Sequence, residues 1–546
     1  MTAEAPAWVR ERETGWQSLT GELFDVLVVG GGIAGAGIAW EAACRGFRTA
    51  LVEERDWAGG TSSRSSKLVH GGLRYLPHGE VRLVREAGRE REILARLAPH
   101  LVRPLPFLIP VYRGVGRPLW EIAMGVWLHD RLTGVPQSHR RVALDPAVLR
   151  TEEPALEGVG LMGGIRYFEA RTDDARLVYT IVQAARAAGA VALSRVRAGE
   201  VSLRRGMGEV EVEDRAEGRR GTVRVRAAVN ATGPWAAGLD PGGPPIALGR
   251  GIHLVFPRAR LPLRHAVVLP STDGGNTFAI PRGRVSYVGT TDRLYTGDPA
   301  WPDVPQEDVD YLFAVLGRVL PRLGLQPRDL LAVYSGVRPL VAHEGVKGTA
   351  ELSRRRSVRV GADGLISVRG GKLTGFRGVS REVLELLGRR MGRPPSAAKA
   401  VQPLPGAADE DYLRLLPERL AAGFGVPADA AEELLWRHGR RAEEVLQYAE
   451  GRPHGLAFVH GGSGLLWGEV DWTVAHEEVL QLSDLLIRRT GFLWFSGDDD
   501  PQGALLTVAQ RIAPVLGWSG DKIAEEVASC RREAHLDRLE ALRGRA

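Results

Sequence analysis

The sequence predicts an α/β protein (α+β overall) that starts with a strand–turn–helix–strand unit, continues with a strand-rich middle part and ends in helices. Three observations predict this class. An apolar run, Val26 to Val29, leads into a glycine-rich turn and a helix pattern of small residues over 36–43. Alternation over 196–229 indicates antiparallel strands. Apolar residues recur at helical spacing after Asp411.

Composition sets broad limits on the protein. Its 546 residues, 44% hydrophobic and 25% charged, suit two or three ordinary globular domains. The net charge of +6 could favour anionic membranes or substrates, but an Arg-rich composition gives the same value, so it decides nothing. Cys44 and Cys530 form no CxxC or Cys/His cluster, which argues against structural zinc and fits a reducing cytoplasm. No signal peptide or 18-residue apolar window is seen, so any membrane association is expected to be peripheral, and no nucleic-acid partner is predicted.

Periodicity predicts the elements in chain order. Residues 1–23 are predicted to form a polar lead-in that could contain a short helix. Strands are predicted near 251–256 and 365–369. Helices are predicted over 81–97, 119–132, 177–188, 418–422, 430–437, 442–448, 474–489, 504–516 and 521–542.

The turn after the first strand has the spacing of a dinucleotide-binding unit. Gly30 permits the tight turn, Gly32 lets the backbone approach a pyrophosphate, and Gly35 lets helix and strand pack closely. Glu53 can accept hydrogen bonds from a ribose 2′-hydroxyl and would repel a 2′-phosphate. The motif does not separate FAD from NAD, and a βαβ unit without ligand would read alike. The predicted contacts are Gly30, Gly32, Ile33, Ala34, Gly35 and Glu53.

The segment that follows is dense in hydroxyl groups, which can line a diphosphate or a flavin. It runs into a base, a cation and a phenol, namely His70, Arg74 and Tyr75. The alternative is a Ser-rich loop followed by a Gly-Gly turn. The predicted cofactor contacts here are Thr61, Ser62, Ser65, Ser66, Lys67 and Leu68.

The stretch from Ser65 to Leu76 closely resembles the signature of the FAD-dependent, quinone-linked glycerol-3-phosphate dehydrogenases, near SSKL-hHGGLRYL with h apolar. The resemblance extends over about residues 22 to 500. Where relatives often read threonine and tyrosine after GGKLT, this chain has Gly375 and Phe376, so any hydroxyl role at those places is absent. The other matching segments are DDARL at 173–177, ATG at 231–233, VGTTD at 288–292, YSGVRPL at 334–340 and GGKLT at 370–374.

The resemblance implies FAD as cofactor and a Rossmann-like FAD-binding domain of the D-amino-acid-oxidase and glutathione-reductase type. A β-rich substrate domain and a C-terminal helical domain complete the expected fold. The expected boundaries are a lead-in at 1–21, an oxidoreductase region at 22–400 (FAD-binding at about 22–80, 165–245 and 340–395, substrate-binding at about 81–164 and 246–339) and a helical domain at 401–546. Further implied FAD contacts are Gly233, Gly371, Lys372, Leu373 and Thr374.

The resemblance also implies oxidation of sn-glycerol 3-phosphate to dihydroxyacetone phosphate, by hydride transfer from C2 to FAD, with a membrane quinone as the next acceptor. His70 is expected to be the general base, because a neutral imidazole can accept the hydroxyl proton. Arg338 is expected to hold the phosphate, because its guanidinium fork can bind two oxygens, and Arg354 comes next in a 354–356 run whose register is open by one residue. The expected substrate contacts are Arg74, Tyr75, His253, Arg338, Arg354 and Lys372.

Several alternatives stay open at the level of sequence. A glycerophosphate oxidase would pass electrons to O2 and release H2O2, an amino-acid or amine oxidase could share the fold, and a non-enzyme could hold a structural flavin. The sequence does not choose between quinone and oxygen, and it leaves a homodimer open. The 119–132 helix could insert shallowly into a bilayer interface or could equally be buried. The expected location is cytoplasmic, peripheral on the inner face of the cell membrane.

Overall fold

The computed structural model describes residues 6–73, 76, 79–114, 116–156, 160–204, 206–270, 276–341, 356–392, 402–461, 464–497 and 501–544. The strands are β1 (Leu23–Val29), β2 (Thr49–Val52), β3 (Leu68–Val69), β4 (Arg103–Tyr112), β5 (Val142–Leu144), β6 (Leu161–Arg171), β7 (Val191–Leu193), β8 (Val196–Arg204), β9 (Met207–Asp214), β10 (Arg219–Asn230), β11 (Ile246–Pro257), β12 (Ala266–Pro270), β13 (Asn276–Arg282), β14 (Val285–Gly289), β15 (Arg293–Tyr295), β16 (Ala332–Val341), β17 (Ser357–Val360) and β18 (Ile366–Arg369). The α-helices are α1 (Ala7–Gly21), α2 (Ile33–Cys44), α3 (Val81–Leu97), α4 (Leu119–Thr133), α5 (Pro146–Glu152), α6 (Asp174–Ala187), α7 (Ala236–Leu239), α8 (Gln306–Val319), α9 (Phe376–Arg390), α10 (Glu410–Phe424), α11 (Ala428–His438), α12 (Ala442–Glu450), α13 (Trp467–His476), α14 (Phe492–Phe495), α15 (Pro501–Leu516), α16 (Gly520–Glu533) and α17 (Leu536–Arg543).

The first sheet carries the predicted strand–turn–helix–strand unit. Its strand order is β17-β18-β10-β1-β2-β7, and β1 pairs in parallel with both β2 and β10. The apolar runs of β1 and β2 are buried on both faces. Helices α2, α6 and α9 cover one face, with Ile38, Val178 and Phe376 in the shared core, and a second core that includes Trp16 and Val212 covers the other. The hairpin of β8 and β9 continues the sheet beside β10. Such a parallel centre leaves a ligand crevice at the carboxyl ends of its strands.

The second sheet confirms the strand-rich middle part. Its order is β15-β11-β14-β13-β12-β4-β6-β3, with β16 joined to β11 and β5 to β6. The register of β11 and β16 places His253 opposite Tyr334 and Gly249 opposite Arg338. Because β3 follows directly on the hydroxyl-rich segment, the chain passes there from the first sheet to the second.

The C-terminal region is helical, as predicted, but two of its predicted helices are each broken. The predicted helix 474–489 separates into α13 and a π-helix, Asp484–Arg489, because Glu478 has a left-handed backbone with φ of 49°. The predicted helix 521–542 separates into α16 and α17 at His535, whose φ is 56°. Helices α10 to α13 share one core, whereas Trp494 and Leu539 belong to the core of the second sheet.

The N-terminal segment differs from the predicted lead-in. Helix α1 spans 15 residues and buries Trp8, Arg12 and Trp16. The Arg12 guanidinium pairs with Asp214 at 2.6 Å and with Glu478 at 3.3 Å. Helix α1 therefore links the first sheet to the C-terminal region. Within the residues that the structure describes, no helix has the length and apolar character needed to cross a bilayer.

Candidate functional site

A cavity of about 750 Å³ lies between the two sheets, and its volume is in the range of about 300–1,000 Å³ common for ligand sites. Its wall comes from segments far apart in the chain, which the fold brings together at the start of α2. Whether each of these residues binds a ligand stays a prediction. The predicted site residues on the wall are Gly30, Gly32, Ile33, Ala34, Glu53, Thr61, Ser62, Ser65, Ser66, Leu68, His70, Gly233, His253, Arg338, Gly371, Lys372, Leu373 and Thr374.

The glycine turn has the geometry that its sequence predicts. Gly30 has a φ of 110°, and a Cβ there would lie 2.6 Å from the Ala231 carbonyl oxygen. A Cβ on Gly35 would lie 1.8 Å from the Gly30 carbonyl oxygen. Gly35 is not on the cavity wall, so its role is the close packing of α2 on the turn rather than ligand contact.

Glu53 stands at the end of β2, as predicted for a ribose-binding acid. Its carboxylate accepts hydrogen bonds from the Gly31 N–H at 2.6 Å and the Arg55 N–H at 2.7 Å. Burial raises the pKa of Glu53 above its ordinary value, while these two donors act in the opposite direction. The two bonds hold the carboxyl group still at the edge of the cavity.

The hydroxyl-rich segment is tied to α2, and Lys67 lies behind it. The Ile33 N–H donates to the Ser62 hydroxyl at 3.1 Å, so this segment closes over the helix N-terminus. Lys67 is absent from the cavity wall: its ammonium group is buried, forms an ion pair with Asp174 and donates to the Ser63 carbonyl at 2.9 Å. Lys67 therefore stabilises the segment from behind, because a buried ammonium needs a carboxylate partner.

At the other end of the cavity, Arg338 is held in a fixed orientation. Its guanidinium donates to the Asp292 carboxylate at 2.9 Å and to the Thr290 hydroxyl at 3.0 Å. The neighbouring His253 ring stacks on Tyr334 with centroids 4.5 Å apart, and its Nε2 lies 3.0 Å from the Ser66 hydroxyl. Burial, together with the charges of Arg338 and Lys67, lowers the pKa of His253 well below its ordinary value. The ring is therefore neutral at pH 7 and adds no positive charge.

His70 also lines the cavity, beside two residues that sequence reasoning missed. Tyr167 and Glu169 project from β6 into the wall. Burial raises the pKa of Tyr167 well above its ordinary value, so its hydroxyl stays protonated. Glu169 could not be found from the sequence, because a single acidic residue in a strand carries no recognisable motif. Arg74, Tyr75 and Arg354, all predicted to bind substrate, lie outside the described residues.

The wall fits a flavin dinucleotide by its backbone as well as by its side chains. A Cβ on Gly233 would meet no atom within 4 Å, and one on Gly371 would come no closer than 3.7 Å to another residue. These glycines therefore leave their backbone open to the cavity. The start of α2 offers its positive end to phosphates, and the hydroxyls of the 61–66 segment stand opposite.

Two protein families match this chain. The family described as FAD dependent oxidoreductase matches residues 25–377. The family described as the C-terminal domain of alpha-glycerophosphate oxidase matches residues 399–523. Together the two matches account for most of the chain, including both sheets and the helices α10 to α13.

Individual proteins are similar over nearly the whole chain. An aerobic glycerol-3-phosphate dehydrogenase of Staphylococcus epidermidis is 34% identical over 518 residues, 91% of each chain. One of Staphylococcus aureus is 32% identical and covers 96% of this chain and 97% of its own. The crystal structure of the glycerol-3-phosphate dehydrogenase of Bacillus halodurans complexed with FAD is 31% identical, with a TM-score of 0.78 over 96% of this chain and 97% of that one. An FAD-bound L-alpha-glycerophosphate oxidase of Mycoplasma pneumoniae (19% identical, TM-score 0.55, 67% of this chain and 95% of that one) shares the fold.

Proposed function

Since the chain belongs to the FAD-dependent oxidoreductases, and within them to the family of the aerobic glycerol-3-phosphate dehydrogenases, we propose that it oxidises sn-glycerol 3-phosphate to dihydroxyacetone phosphate. FAD is its cofactor. The proposal extends to a membrane quinone as the next electron acceptor. The observation that carries it is one cavity whose wall combines the dinucleotide turn with Arg338, Lys372 and His70.

Arg338 is proposed to hold the substrate phosphate. A guanidinium has five N–H donors, so it can keep its bonds to Asp292 and Thr290 and still bind phosphate oxygens. Those two bonds fix the plane of the fork, which lowers the entropy lost when the dianion binds. Lys372, on the same wall, adds a second positive charge.

His70 is proposed to take the proton from the C2 hydroxyl, which raises the electron density at C2 as the C–H bond breaks. FAD bound in the cavity supplies the acceptor for the hydride that leaves C2. His253 is proposed to orient the substrate as a neutral hydrogen-bonding group, because its ring is uncharged and already positioned by Ser66 and Tyr334.

A membrane surface is proposed as the partner of α4, since a quinone acceptor resides in lipid. Trp120, Met124, Trp127 and Leu128 are all exposed, at 67%, 55%, 45% and 38%, and their spacing puts them on one face of the helix. Only the opposite face of α4 is buried, so the helix packs on the protein through one side and exposes the other. The Arg131 guanidinium lies 5.5 Å from the centroid of the Trp127 ring. This cation beside the aromatic face can attract anionic lipid headgroups.

The direct test is the visible spectrum of the purified holoprotein under anaerobic conditions. We expect glycerol 3-phosphate to bleach the oxidised flavin band and glycerol, which lacks the phosphate, to leave it unchanged. We expect a quinone analogue to restore the band faster than dissolved oxygen does. Faster recovery with oxygen and release of H2O2 would instead assign a glycerophosphate oxidase.

A matched pair of variants tests the phosphate contact. Arg338→Lys should raise the KM for glycerol 3-phosphate, because lysine lacks the bidentate fork, with a loss of about 2 kcal/mol in kcat/KM, or roughly 30-fold. Arg224→Lys changes an exposed arginine that donates to the Gly21 carbonyl and should leave KM unchanged. A flavin band that ignores glycerol 3-phosphate in the unaltered protein would reject the substrate assignment.

A further inference from the structure

Glu169 is an acid on the cavity wall for which the proposed reaction has no direct use. It lies on β6, its residue is only 5% exposed, and it faces a cavity that is proposed to receive an anionic substrate. A buried carboxylate in that place would repel the substrate unless another charge offset it. Its contacts indicate why the fold keeps it there.

The Glu169 carboxylate joins three elements through two short hydrogen bonds. Its Oε2 accepts from the Gly71 N–H at 2.7 Å and from the Arg91 guanidinium at 2.8 Å. Arg91 projects from α3 and also donates to the Phe168 carbonyl at 3.3 Å. The Arg91 charge offsets that of Glu169, so the pair is stable beside an anion site.

The Gly71 bond acts on the residue before it. The His70 carbonyl and the Gly71 N–H belong to one planar peptide unit. A hydrogen bond that fixes the direction of the N–H therefore also fixes the orientation of the His70 carbonyl. His129 also packs against this segment: a Cβ on Gly71 would lie 2.5 Å from the His129 Nε2. The peptide is therefore held by its hydrogen bond to Glu169 and by the packing of His129.

We propose that Glu169 is a positioning residue, which holds the His70–Gly71 peptide so that the His70 imidazole is directed into the cavity, and that Arg91 holds the Glu169 carboxylate in place. The proposal rests on the proposed function, because it takes His70 as the base. Without Glu169, the Gly71 N–H would lose its acceptor and the segment could rotate. A shift of about 1 Å in a reacting group can cost on the order of 100-fold in rate.

The test is a double-mutant cycle measured by anaerobic flavin reduction with glycerol 3-phosphate. His70→Asn alone should slow reduction by about 100-fold or more, as loss of a general base does. Glu169→Gln alone should slow it by on the order of 10- to 100-fold, with KM changed less than about twofold and flavin content unchanged. In the His70→Asn background, Glu169→Gln should have no further effect, because there is no base left to position.

The matched control is Glu92→Gln, which removes a carboxylate that also bonds to Arg91, at 3.2 Å, but that is outside the cavity wall. It should leave the reduction rate unchanged. Glu169→Asp keeps the charge beside Arg91 with a shorter reach and should fall between Glu169→Gln and the unaltered protein.

Each contrary outcome identifies what has failed. Equal fold losses from Glu169→Gln in both backgrounds would overturn the positioning role, because independent effects multiply. Loss of flavin from both Glu169 variants would also overturn it and would assign Glu169 to the cofactor site. An unchanged rate for His70→Asn would reject His70 as the base, and with it the proposed mechanism, whatever Glu169→Gln does.

Discussion

Several buried histidines are kept neutral by their surroundings. Burial is the largest cause at His100, His253, His438 and His535, and nearby arginines add to it. At His100 the charges of Arg176 and Arg103 assist burial and lower the pKa to about 3. In the unfolded chain these histidines have an ordinary pKa near 6.5 and bind a proton below that pH, whereas in the folded protein they stay neutral.

The sign of the resulting pH dependence follows from this difference. Between about pH 6.5 and 3 the unfolded chain binds more protons at His100 than the folded protein does, so stability falls as the pH falls. His100→Gln removes this proton site and should reduce the slope of unfolding free energy against pH by about 1.4 kcal/mol per pH unit. Urea unfolding at pH 4, 5 and 6 measures the slope. His454→Gln, at an exposed histidine, is the control and should leave the slope unaltered; equal slopes for all three proteins would contradict the buried-neutral assignment.

Residues with a local role were predictable from the sequence, whereas those with distant partners were not. Gly30 and Glu53 act within one strand–turn–helix–strand unit, so spacing alone located them on the cavity. Lys67 was predicted as a cofactor contact because it belongs to the hydroxyl-rich segment, yet its partner is Asp174, which is far away in the chain. Glu169 went unnoticed for the same reason.

At the scale of elements, α4 has an apolar face that the described part of the molecule leaves uncovered. Replacing Trp120 and Trp127 together by serine should lower the affinity for vesicles of anionic lipid by at least about 10-fold, because both rings leave the interface. Co-sedimentation with vesicles measures the affinity, and reduction of a water-soluble dye by glycerol 3-phosphate checks that the site is intact.

The control for α4 is Leu506→Ser on α15, which is also exposed, at 49%, but lies on another helix. It should bind vesicles as the unaltered protein does. Equal binding by the double tryptophan variant would contradict the assignment of this face to lipid.

The elements with an uninterrupted period were predicted closely. Helix α3 has the predicted bounds, 81 to 97, and α4 ends one residue beyond its predicted 132. The predicted helices that failed cross Glu478 and His535, where the backbone is left-handed. Nothing in those residue types marks a helix end, because the left-handed residue that ends a helix is usually glycine.

At the scale of the molecule, buried ion pairs join the C-terminal region to the loop beside the cofactor cavity. Asp56 accepts from Arg488 at 2.6 Å and from Arg489 at 2.9 Å. Arg64, on the cavity wall, donates to Glu533 at 3.1 Å. Burial alone would raise the pKa of Glu533, but the charges of Arg488 and Arg64 lower this pKa to about 2. Glu533 therefore stays charged in the folded protein.

Breaking this contact should weaken cofactor retention. Asp56→Asn leaves the buried Arg489 without its carboxylate and removes one of the three carboxylates on Arg488. Loss of a buried partner costs about 3–5 kcal/mol and should lower both the thermal midpoint and the affinity for FAD. Flavin fluorescence measures the thermal midpoint on heating, and a titration of the apoprotein with FAD measures the affinity. The control Asp429→Asn breaks an exposed pair with Arg284, which is worth about 0–1 kcal/mol. A thermal midpoint for Asp56→Asn equal to that of the control would contradict the coupling.

The make-up of the cavity wall also bears on how much of the protein a cell retains. Its residues come from near the N-terminus, from the middle of the chain and from the loop before α9, so the bound cofactor holds together segments up to about 340 positions apart in the chain, from Gly30 to Lys372. A ligand that binds only the folded form adds about 2.7 kcal/mol of stability at a concentration 100 times its Kd. A cell short of riboflavin would therefore hold less of this enzyme, because the empty form would be the better substrate for its proteases.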